Sequence, residues 1–113
     1  MSKIGDNIKK FRIFRKMTQI ELGEAVNRSK NVVSNWERGD NTPDLDTLEK
    51  LCVVLDVTPN QLFGWDKNPE YERHQERVNE YRLKLAELEQ ERKRIESIMS
   101  KLKSEYDTDA FYE

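Results

Sequence analysis

The sequence predicts an all-α protein in which five short helices precede one long helix. Over the first 66 residues, apolar side chains recur three and four positions apart, and capping residues separate the segments. From Tyr71 onward the apolar period changes to seven, and no Gly or Pro follows Pro69. No segment alternates apolar and polar residues as a strand would. We therefore expect a compact helical domain, residues 1–66, followed by an extended helical segment, residues 67–113.

The composition agrees with this division. Apolar residues make up 35% and charged residues 37% of the 113 positions, which is too polar for one compact globule of this length. Residues 1–66 carry ten Lys or Arg against ten Asp or Glu, and residues 67–113 carry ten against twelve, so the net charge is −2. This balance argues against a generic polyanion binder. Any nucleic-acid contact must therefore depend on the local arrangement of charge.

The cysteine count and the lack of long apolar runs limit the class of protein further. One cysteine, Cys52, excludes an intramolecular disulfide and a cysteine-based metal site. The N-terminus has no apolar run of signal-peptide length, and nothing approaches the ~20 apolar residues of a membrane span. We expect a cytoplasmic protein with no membrane partner.

An apolar face predicts the first helix, and a capping box predicts the start of the second. Residues 4–16 place Ile4, Ile8 and Phe11 on a common face. Thr18 with Glu21 three residues later forms a capping box that starts a second helix, ending at Val26. Asn27 tolerates positive φ and suits a tight turn there.

The third helix is the most informative stretch of the chain. Ser29 can cap it and Gly39 can end it in the left-handed conformation. Val33 and Trp36 form a thin apolar edge that would face the core. The other face is polar, rich in amides and singly basic, which suits contact with base edges: Lys30, Asn31, Ser34 and Asn35.

Two more helices complete the predicted domain. Asp44 or Asp46 can cap a fourth helix, whose apolar stripe comprises Leu45, Leu48, Leu51, Cys52 and Leu55. Thr58 and Pro59 begin a short fifth helix that ends at Gly64.

A seven-residue repeat dominates the rest of the chain. It predicts a coiled coil with a high share of large apolar residues at its a and d positions, and a dimer seam formed by Val78, Tyr81, Leu85, Leu88, Arg92, Ile95, Met99 and Leu102. The alternative is a single amphipathic helix that lies back on the N-terminal domain.

Residues 4–64 carry several spaced motifs in a fixed order, at residues 8–12, 17–22, 29–39, 43–48 and 55–63. The third of these ends in Trp-Glu-Arg-Gly. Together the motifs resemble the Cro/phage-repressor-type helix-turn-helix regulators, also called the XRE family. The resemblance implies a five-helix, lambda-repressor-like domain that binds a double-stranded DNA operator.

The resemblance also assigns roles to residues. It implies that the third helix enters the major groove, with Lys30, Asn31 and Asn35 at base-reading positions and Ser34 close by. Asn can bond adenine at N6 and N7, and Lys can reach guanine O6 and N7. Each residue taken singly could instead be a solvated side chain on an exposed helix.

Phosphate contacts and one ion pair follow from the same resemblance. The expected phosphate-contacting residues are Gln19, Ser29, Arg12, Arg38, Asn41 and Thr42. Arg12 and Glu37 match a family pair that joins the first helix to the recognition helix, and we expect this pair to be partly structural.

Two positions depart from the family pattern. Gly23 stands where relatives usually have alanine, at the close contact between the second and third helices. Asp40 follows Gly39 where relatives often have a basic residue. We therefore expect weaker phosphate clamping there and a greater dependence on dimerisation.

Charge favours an antiparallel homodimer by a modest margin. With Leu85 opposite Leu88 of the partner subunit, the flanking pairs Lys84–Glu91 and Arg82–Glu89 are both attractive. A parallel pair would form the attractive Lys84–Glu89 contact. It would also bring Arg77 near Arg82 and Glu91 near Glu96, and both of these pairs are repulsive. Each exposed pair contributes only a few tenths of a kcal/mol.

The predicted function is a sequence-specific DNA-binding transcriptional regulator, a repressor that binds a two-fold operator. The alternative is a protein-interaction module or an antitoxin-type autorepressor whose C-terminal helix binds a partner protein. The acidic, aromatic tail, residues 106–113, is compatible with such a partner. No catalytic group, metal site or cofactor motif is predicted, because His74, the single histidine, sits at a heptad d position without a nucleophile nearby.

Overall fold

The computed structural model of the protein describes residues 3–112, with side chains described from residue 4 to residue 106. Six α-helices and no strand occur in this part of the chain. Their bounds are α1 Lys3–Phe14, α2 Gln19–Ala25, α3 Lys30–Arg38, α4 Leu45–Leu55, α5 Pro59–Phe63 and α6 Pro69–Tyr112. The all-α prediction of five short helices and one long C-terminal helix is confirmed. Most of the acidic tail considered as a partner site, residues 107–113, lies outside the described side chains.

Local capping chemistry accounts for most helix ends. Thr18 and Thr58 each form a complete capping box, with Glu21 and Gln61 respectively. Asp44, rather than Asp46, caps α4 by accepting from the Thr47 N–H at 2.8 Å. Hydrogen bonds from Thr47 hold the pKa of the Asp44 carboxyl below its usual value.

Three turns use left-handed backbone at residues other than glycine. Asn27 has φ 59°, which confirms the tight turn predicted between α2 and α3. Lys16 has φ 59° and ends the first helix at Phe14, two residues before the predicted end. Asp56 has φ 54° and forms the C-cap of α4. The cost of this conformation for a residue with a Cβ is small enough that surrounding packing can impose it.

The core of the first unit is formed by one apolar face from each of the five short helices. Its buried members are Ile4, Ile8, Phe11, Leu22, Val26, Val33, Trp36, Leu51, Leu55, Val57 and Leu62. Cys52, expected in the core, is only half-buried against it. Burial raises the pKa of the Cys52 thiol.

The first unit ends at Glu72 and therefore includes the first turn of α6. Tyr71 packs edge-to-face on Phe11 and Phe14, with ring centroids 5.6 and 5.3 Å apart. Arg15 donates to the Leu55 carbonyl at 2.8 Å and pairs with Glu70 at 2.9 Å. These contacts place Tyr71, the first a position of the predicted heptads, in the packing of this unit.

Asn68 joins α5 to the start of α6. It is buried, and its Oδ1 accepts from the Tyr71 N–H at 2.9 Å as a helix cap. Its Nδ2 donates to Gln61 Oε1 at 3.0 Å. The sequence pattern of capping residues did not single out this position.

The second unit begins at Arg73 and is the remainder of α6. Every side chain described from residue 79 to residue 106 is exposed, including Leu85 at 47% and Leu88 at 57%. None of the helices in the described residues is both long and apolar enough to span a membrane.

Candidate nucleic-acid interface

The α3 helix is fixed to the first unit by its apolar edge. Val33 is fully buried and Trp36 is 3% exposed. Ser29 caps the helix by accepting from the Val32 N–H at 3.3 Å. Gly39 ends it in the left-handed conformation at φ 83°. Both ends and the inner face are therefore as predicted.

Two glycines allow neighbouring backbone to approach α3 closely. A Cβ on Gly5 in α1 would lie 2.1 Å from the Trp36 carbonyl oxygen. A Cβ on Gly23 in α2 would lie 2.5 Å from the Arg28 carbonyl oxygen. Both distances are far below van der Waals contact, so a side chain at either position would push backbone away. Gly5 thus sets the distance between α1 and the recognition helix.

A buried carboxylate ties three parts of the site together. Glu37 is 4% exposed and accepts from Arg12 Nε at 2.7 Å and from Arg12 Nη2 at 3.0 Å. Gln19 Nε2 donates to the same carboxylate at 3.0 Å, and Arg12 Nη1 donates to the Met17 carbonyl at 2.9 Å. Two-point Arg–carboxylate geometry fixes orientation as well as distance. The start of α2 and the end of α3 are thereby held against α1.

The outer face of α3 presents four polar residues to solvent. Lys30 and Asn31 are exposed, while Ser34 and Asn35 are half-buried. Because Lys30 and Asn31 occupy the first turn and Ser34 and Asn35 the next, all four lie on one side of the helix. The four predicted base-reading residues are thus adjacent on one surface.

The side chain of Arg38 lies along this surface. Its guanidinium donates to Ser34 Oγ at 2.6 Å, to Asn35 Oδ1, and to Asp40 Oδ2 at 3.0 Å. Asp40 therefore forms an exposed ion pair with Arg38 directly after the end of α3.

The predicted phosphate-contacting residues fall into two groups. Ser29, Arg38, Asn41 and Thr42 are exposed at the two ends of α3. Gln19 and Arg12 lie behind them, half-buried and bonded to Glu37. Arg12 donates three hydrogen bonds within the protein, two to Glu37 and one to the Met17 carbonyl.

Two elements of the site were not identified from the sequence. The role of Gly5 depends on the approach of α3, which residues 4–16 alone do not reveal. The second element is the pair of hydrogen bonds from Arg38 to Ser34 and Asn35. It could have been inferred from spacing, because side chains three and four apart on a helix are neighbours. Within the described residues, no three His, Cys, Asp or Glu side chains are grouped to hold a metal ion.

Comparison with known proteins agrees with this geometry. Residues 8–62 match the family described as Helix-turn-helix. The chain is 38% identical over 64 residues to the HTH-type transcriptional regulator ImmR of Bacillus subtilis (strain 168), covering 57% of the chain and 50% of ImmR. It is 30% identical over 101 residues to the antitoxin PezA of Streptococcus pneumoniae serotype 4 (strain ATCC BAA-334 / TIGR4), covering 88% of the chain and 58% of PezA.

A solved structure superposes on part of the chain. The P22 c2 repressor protein, crystallised in complex with synthetic operator 9T, superposes with a TM-score of 0.53 at 32% identity. The match spans 56% of this chain and 96% of the repressor chain. The chain spans about half the length of the curated relatives it matches. The chain belongs to the helix-turn-helix family of the Cro/phage-repressor type.

Proposed function

We propose that this protein is a sequence-specific, double-stranded-DNA-binding transcriptional regulator that represses from a two-fold operator. The observation that carries the proposal is the division of α3. Val33, Trp36 and Glu37 fix the helix on its inner side. On the polar face Lys30 and Asn31 are exposed, and Ser34 and Asn35 are half-buried. A rigid helix with exposed donors and acceptors fits the major groove. Membership of the family and the operator complex of the P22 c2 repressor support it. Since its ligand is DNA, the cytoplasm is its place of action.

In this proposal the four residues on the outer face of α3 read bases: Lys30, Asn31, Ser34 and Asn35. The exposed residues at the ends of α3 contact phosphates, namely Ser29, Arg38, Asn41 and Thr42. Gln19 contributes from the N-terminus of α2, and Arg12 acts through Glu37. Phosphate contacts set position and base contacts set specificity.

The double substitution Asn31→Ala with Asn35→Ala tests the reading face. Because each two-point base contact contributes about 1–3 kcal/mol of discrimination, specific binding should fall to the level of binding to random DNA. The measurement is a titration of labelled operator, chosen from a random pool by the wild-type protein, against an unrelated duplex. Asn79→Ala, an exposed amide on α6, is the matched control and should leave affinity unchanged. Survival of specific binding in the double variant would overturn this assignment.

The second half of the proposal is a homodimer formed through α6. The helix exposes large apolar side chains along one seven-residue repeat, which a second copy would bury: Tyr81, Leu85, Leu88, Ile95, Met99 and Leu102. Val78 and Arg92 complete that seam. Two linked reading helices can contact two half-sites of an operator at once.

Arg92 favours the antiparallel arrangement. In a parallel pair its a position would face Arg92 of the partner subunit, which places two like charges in the seam. In the antiparallel pair it faces Tyr81 of the partner subunit, where a cation–π contact is available. Within its own helix Arg92 bonds Glu89 and, at 2.8 Å, Glu96. The hydrogen bond from Arg92 lowers the pKa of Glu89.

Cysteine crosslinking distinguishes the two directions. A Leu85→Cys, Leu88→Cys, Cys52→Ser chain should form disulfide-linked dimers on mild oxidation, because residues 85 and 88 face each other across an antiparallel seam. A Leu85→Cys, Cys52→Ser chain should not crosslink to itself. Efficient self-crosslinking of that second chain would establish the parallel form instead.

A second candidate function is an antitoxin-type autorepressor. The observation that favours it is the length of the PezA match, which at 101 residues exceeds the first unit and so extends into the second. In that case α6 would bind a partner protein rather than a second copy. The purified chain would then be monomeric at micromolar concentration, and Leu85→Glu would leave its affinity for operator DNA unchanged. A dimer that Leu85→Glu dissociates would favour the first candidate.

A further inference from the structure

Arg38 makes a three-way contact that fixes the chemistry of the reading face. Its Nη2 donates to Asn35 Oδ1, its Nη1 donates to Ser34 Oγ at 2.6 Å, and its Nε donates to Asp40 Oδ2 at 3.0 Å. Asp40 thus accepts from the Nε–H of the guanidinium, while Ser34 and Asn35 accept from its two terminal NH₂ groups. The planar fork of Arg makes all three contacts in one orientation.

These contacts decide which hydrogen-bonding groups face the DNA. With Oδ1 turned to Arg38, the Asn35 amide directs its NH₂ group away from the guanidinium. Ser34 Oγ accepts from Arg38 and keeps its O–H as a donor. Lys30, on the preceding turn, has only donors. Asn31 accepts no hydrogen bond from Arg38, so its carbonyl oxygen is free of this constraint.

Donor groups on this part of α3 favour guanine over adenine. Guanine presents two acceptors, O6 and N7, on its major-groove edge, whereas adenine presents one acceptor and the N6 amino donor. Two-point binding of adenine by Asn35 would bring that amino group beside the Arg38 guanidinium, donor against donor. Guanine meets no such conflict, and its O6 is attracted by the positive charge.

We propose that Arg38 is a specificity-determining positioning residue that sets Asn35 and Ser34 as donors, so that the half-site presents guanine acceptors to this part of α3. The inference rests on the proposed DNA-reading function and deepens it by naming the base. It also separates the two asparagines, since Asn31 can bind adenine through both amide groups and Asn35 is directed to guanine.

The test is selection of bound duplexes from a random pool by three full-length proteins: wild type, Arg38→Met and Arg38→Lys. Met removes the guanidinium and keeps an unbranched side chain. Lys keeps the positive charge but lacks the planar guanidinium that makes the three contacts. For wild type we expect guanine over adenine by about tenfold at one position of each half-site. That preference should fall to parity or reverse toward adenine in Arg38→Met and weaken in Arg38→Lys, with the other positions unchanged.

A role for Arg38 in phosphate contact alone gives a different result. Affinity would then fall equally for all sequences, and the base preference would stay as in wild type. That outcome overturns the inference, as does adenine at the Asn35 position in the wild-type selection. Arg94→Met, which removes an exposed arginine from α6, is the charge-matched control and should change neither quantity. Failure of the wild-type protein to enrich any sequence would overturn the proposed function itself.

Discussion

At the residue scale, Glu37 shows how one side chain can position a reading helix. A carboxylate on a DNA-facing element would repel phosphate, yet this one is buried and compensated by Arg12 and Gln19. The family resemblance predicted the partner Arg12, because the positions of both residues match a known motif. It did not predict that Gln19 would bond the same oxygen atom as Arg12 Nη2.

Loss of this carboxylate should destabilise the first unit strongly. Glu37→Ala leaves the Arg12 charge, 11% exposed, without its partner, and breaking a buried pair in this way costs about 3–5 kcal/mol. The free energy of unfolding from urea denaturation, followed by the intrinsic fluorescence of Trp36 and Trp65, measures the loss. Glu24→Ala, an exposed change on α2, should stay within about 0.5 kcal/mol of wild type. A loss below about 1 kcal/mol for Glu37→Ala would mean that the pair contributes little.

The role of Gly5 depends on a residue distant in sequence and could not be predicted from the pattern of α1. Within α1 it carries a helix-propensity penalty of about 0.8–1 kcal/mol relative to alanine, so its local pattern gives no reason for its presence. The reason is non-local, since the Trp36 carbonyl occupies the space a side chain would need. No spacing rule within α1 contains that information.

Replacing Gly5 with alanine should therefore destabilise the protein despite the gain in helix propensity. Overpacking of this kind costs about 1–3 kcal/mol, and the contacted atom is backbone, which cannot rotate away. We expect a lower midpoint of thermal unfolding for Gly5→Ala, measured by circular dichroism. Lys9→Ala, at an exposed position in the middle of the same helix, gives the comparison for a change in propensity without overpacking. A higher unfolding midpoint for Gly5→Ala than for wild type would show that α1 and α3 can move apart enough to admit the methyl group without loss of stability.

At the scale of helices, most ends with a capping partner within four residues were predictable. Thr18, Asp44 and Thr58 cap as expected because their acceptors and donors are local. The end of α1 was placed two residues late, since Lys16 adopts positive φ without a glycine or asparagine to signal it. Asn68 caps α6 through an equally local partner, the Tyr71 N–H, and was missed although Pro69 follows it. Only its bond to Gln61, on another helix, lies beyond a local pattern.

Ser29 belongs to both the helix and the proposed interface, and the two roles can be separated. Asp caps helices as well as Ser does and favours the N-terminal end of the helix dipole. Ser29→Asp should therefore keep the unfolding temperature of wild type. Its carboxylate would face a phosphate, so affinity for operator DNA should fall about tenfold or more at low salt.

Thr58→Asp provides the matched control for that change. It introduces the same cap and charge at α5, so neither stability nor DNA affinity should change beyond measurement error. Fluorescence anisotropy with a labelled duplex at two salt concentrations gives both affinities. Equal affinity of Ser29→Asp and wild type would remove Ser29 from the phosphate contacts.

At the scale of the whole molecule, the two units differ in how far sequence determines them. The first unit is specified by periodic apolar residues, caps and a family motif, so its helices could be derived in order. The second is one helix whose heptads indicate a seam and leave its direction to a few charge pairs. Tyr71 fits the first a position by spacing, yet it packs on Phe11 and Phe14, because period alone cannot tell a seam from a domain core.

The proposed dimer makes DNA affinity depend on a seam that contacts no DNA. Leu85→Glu with Leu88→Glu places charge at the centre of that seam, so the full-length variant should sediment as a monomer at concentrations where wild type is a dimer. Its first unit should melt as in wild type, because residues 85 and 88 lie in the second unit. Affinity for a two-half-site operator should fall by about 10²-fold or more, since linkage of two sites raises avidity by this order.

Leu83 offers the control that makes the result specific to the seam. It is 68% exposed and lies at an f position, on the opposite side of the helix from the a and d residues. Leu83→Glu adds the same charge to the same helix and should leave both the dimer and the DNA affinity unchanged. If Leu83→Glu dissociates the chain as Leu85→Glu with Leu88→Glu does, then helix charge rather than the seam controls assembly. If neither variant changes affinity, a single reading unit suffices for binding, and the dependence on dimerisation inferred from Asp40 is wrong.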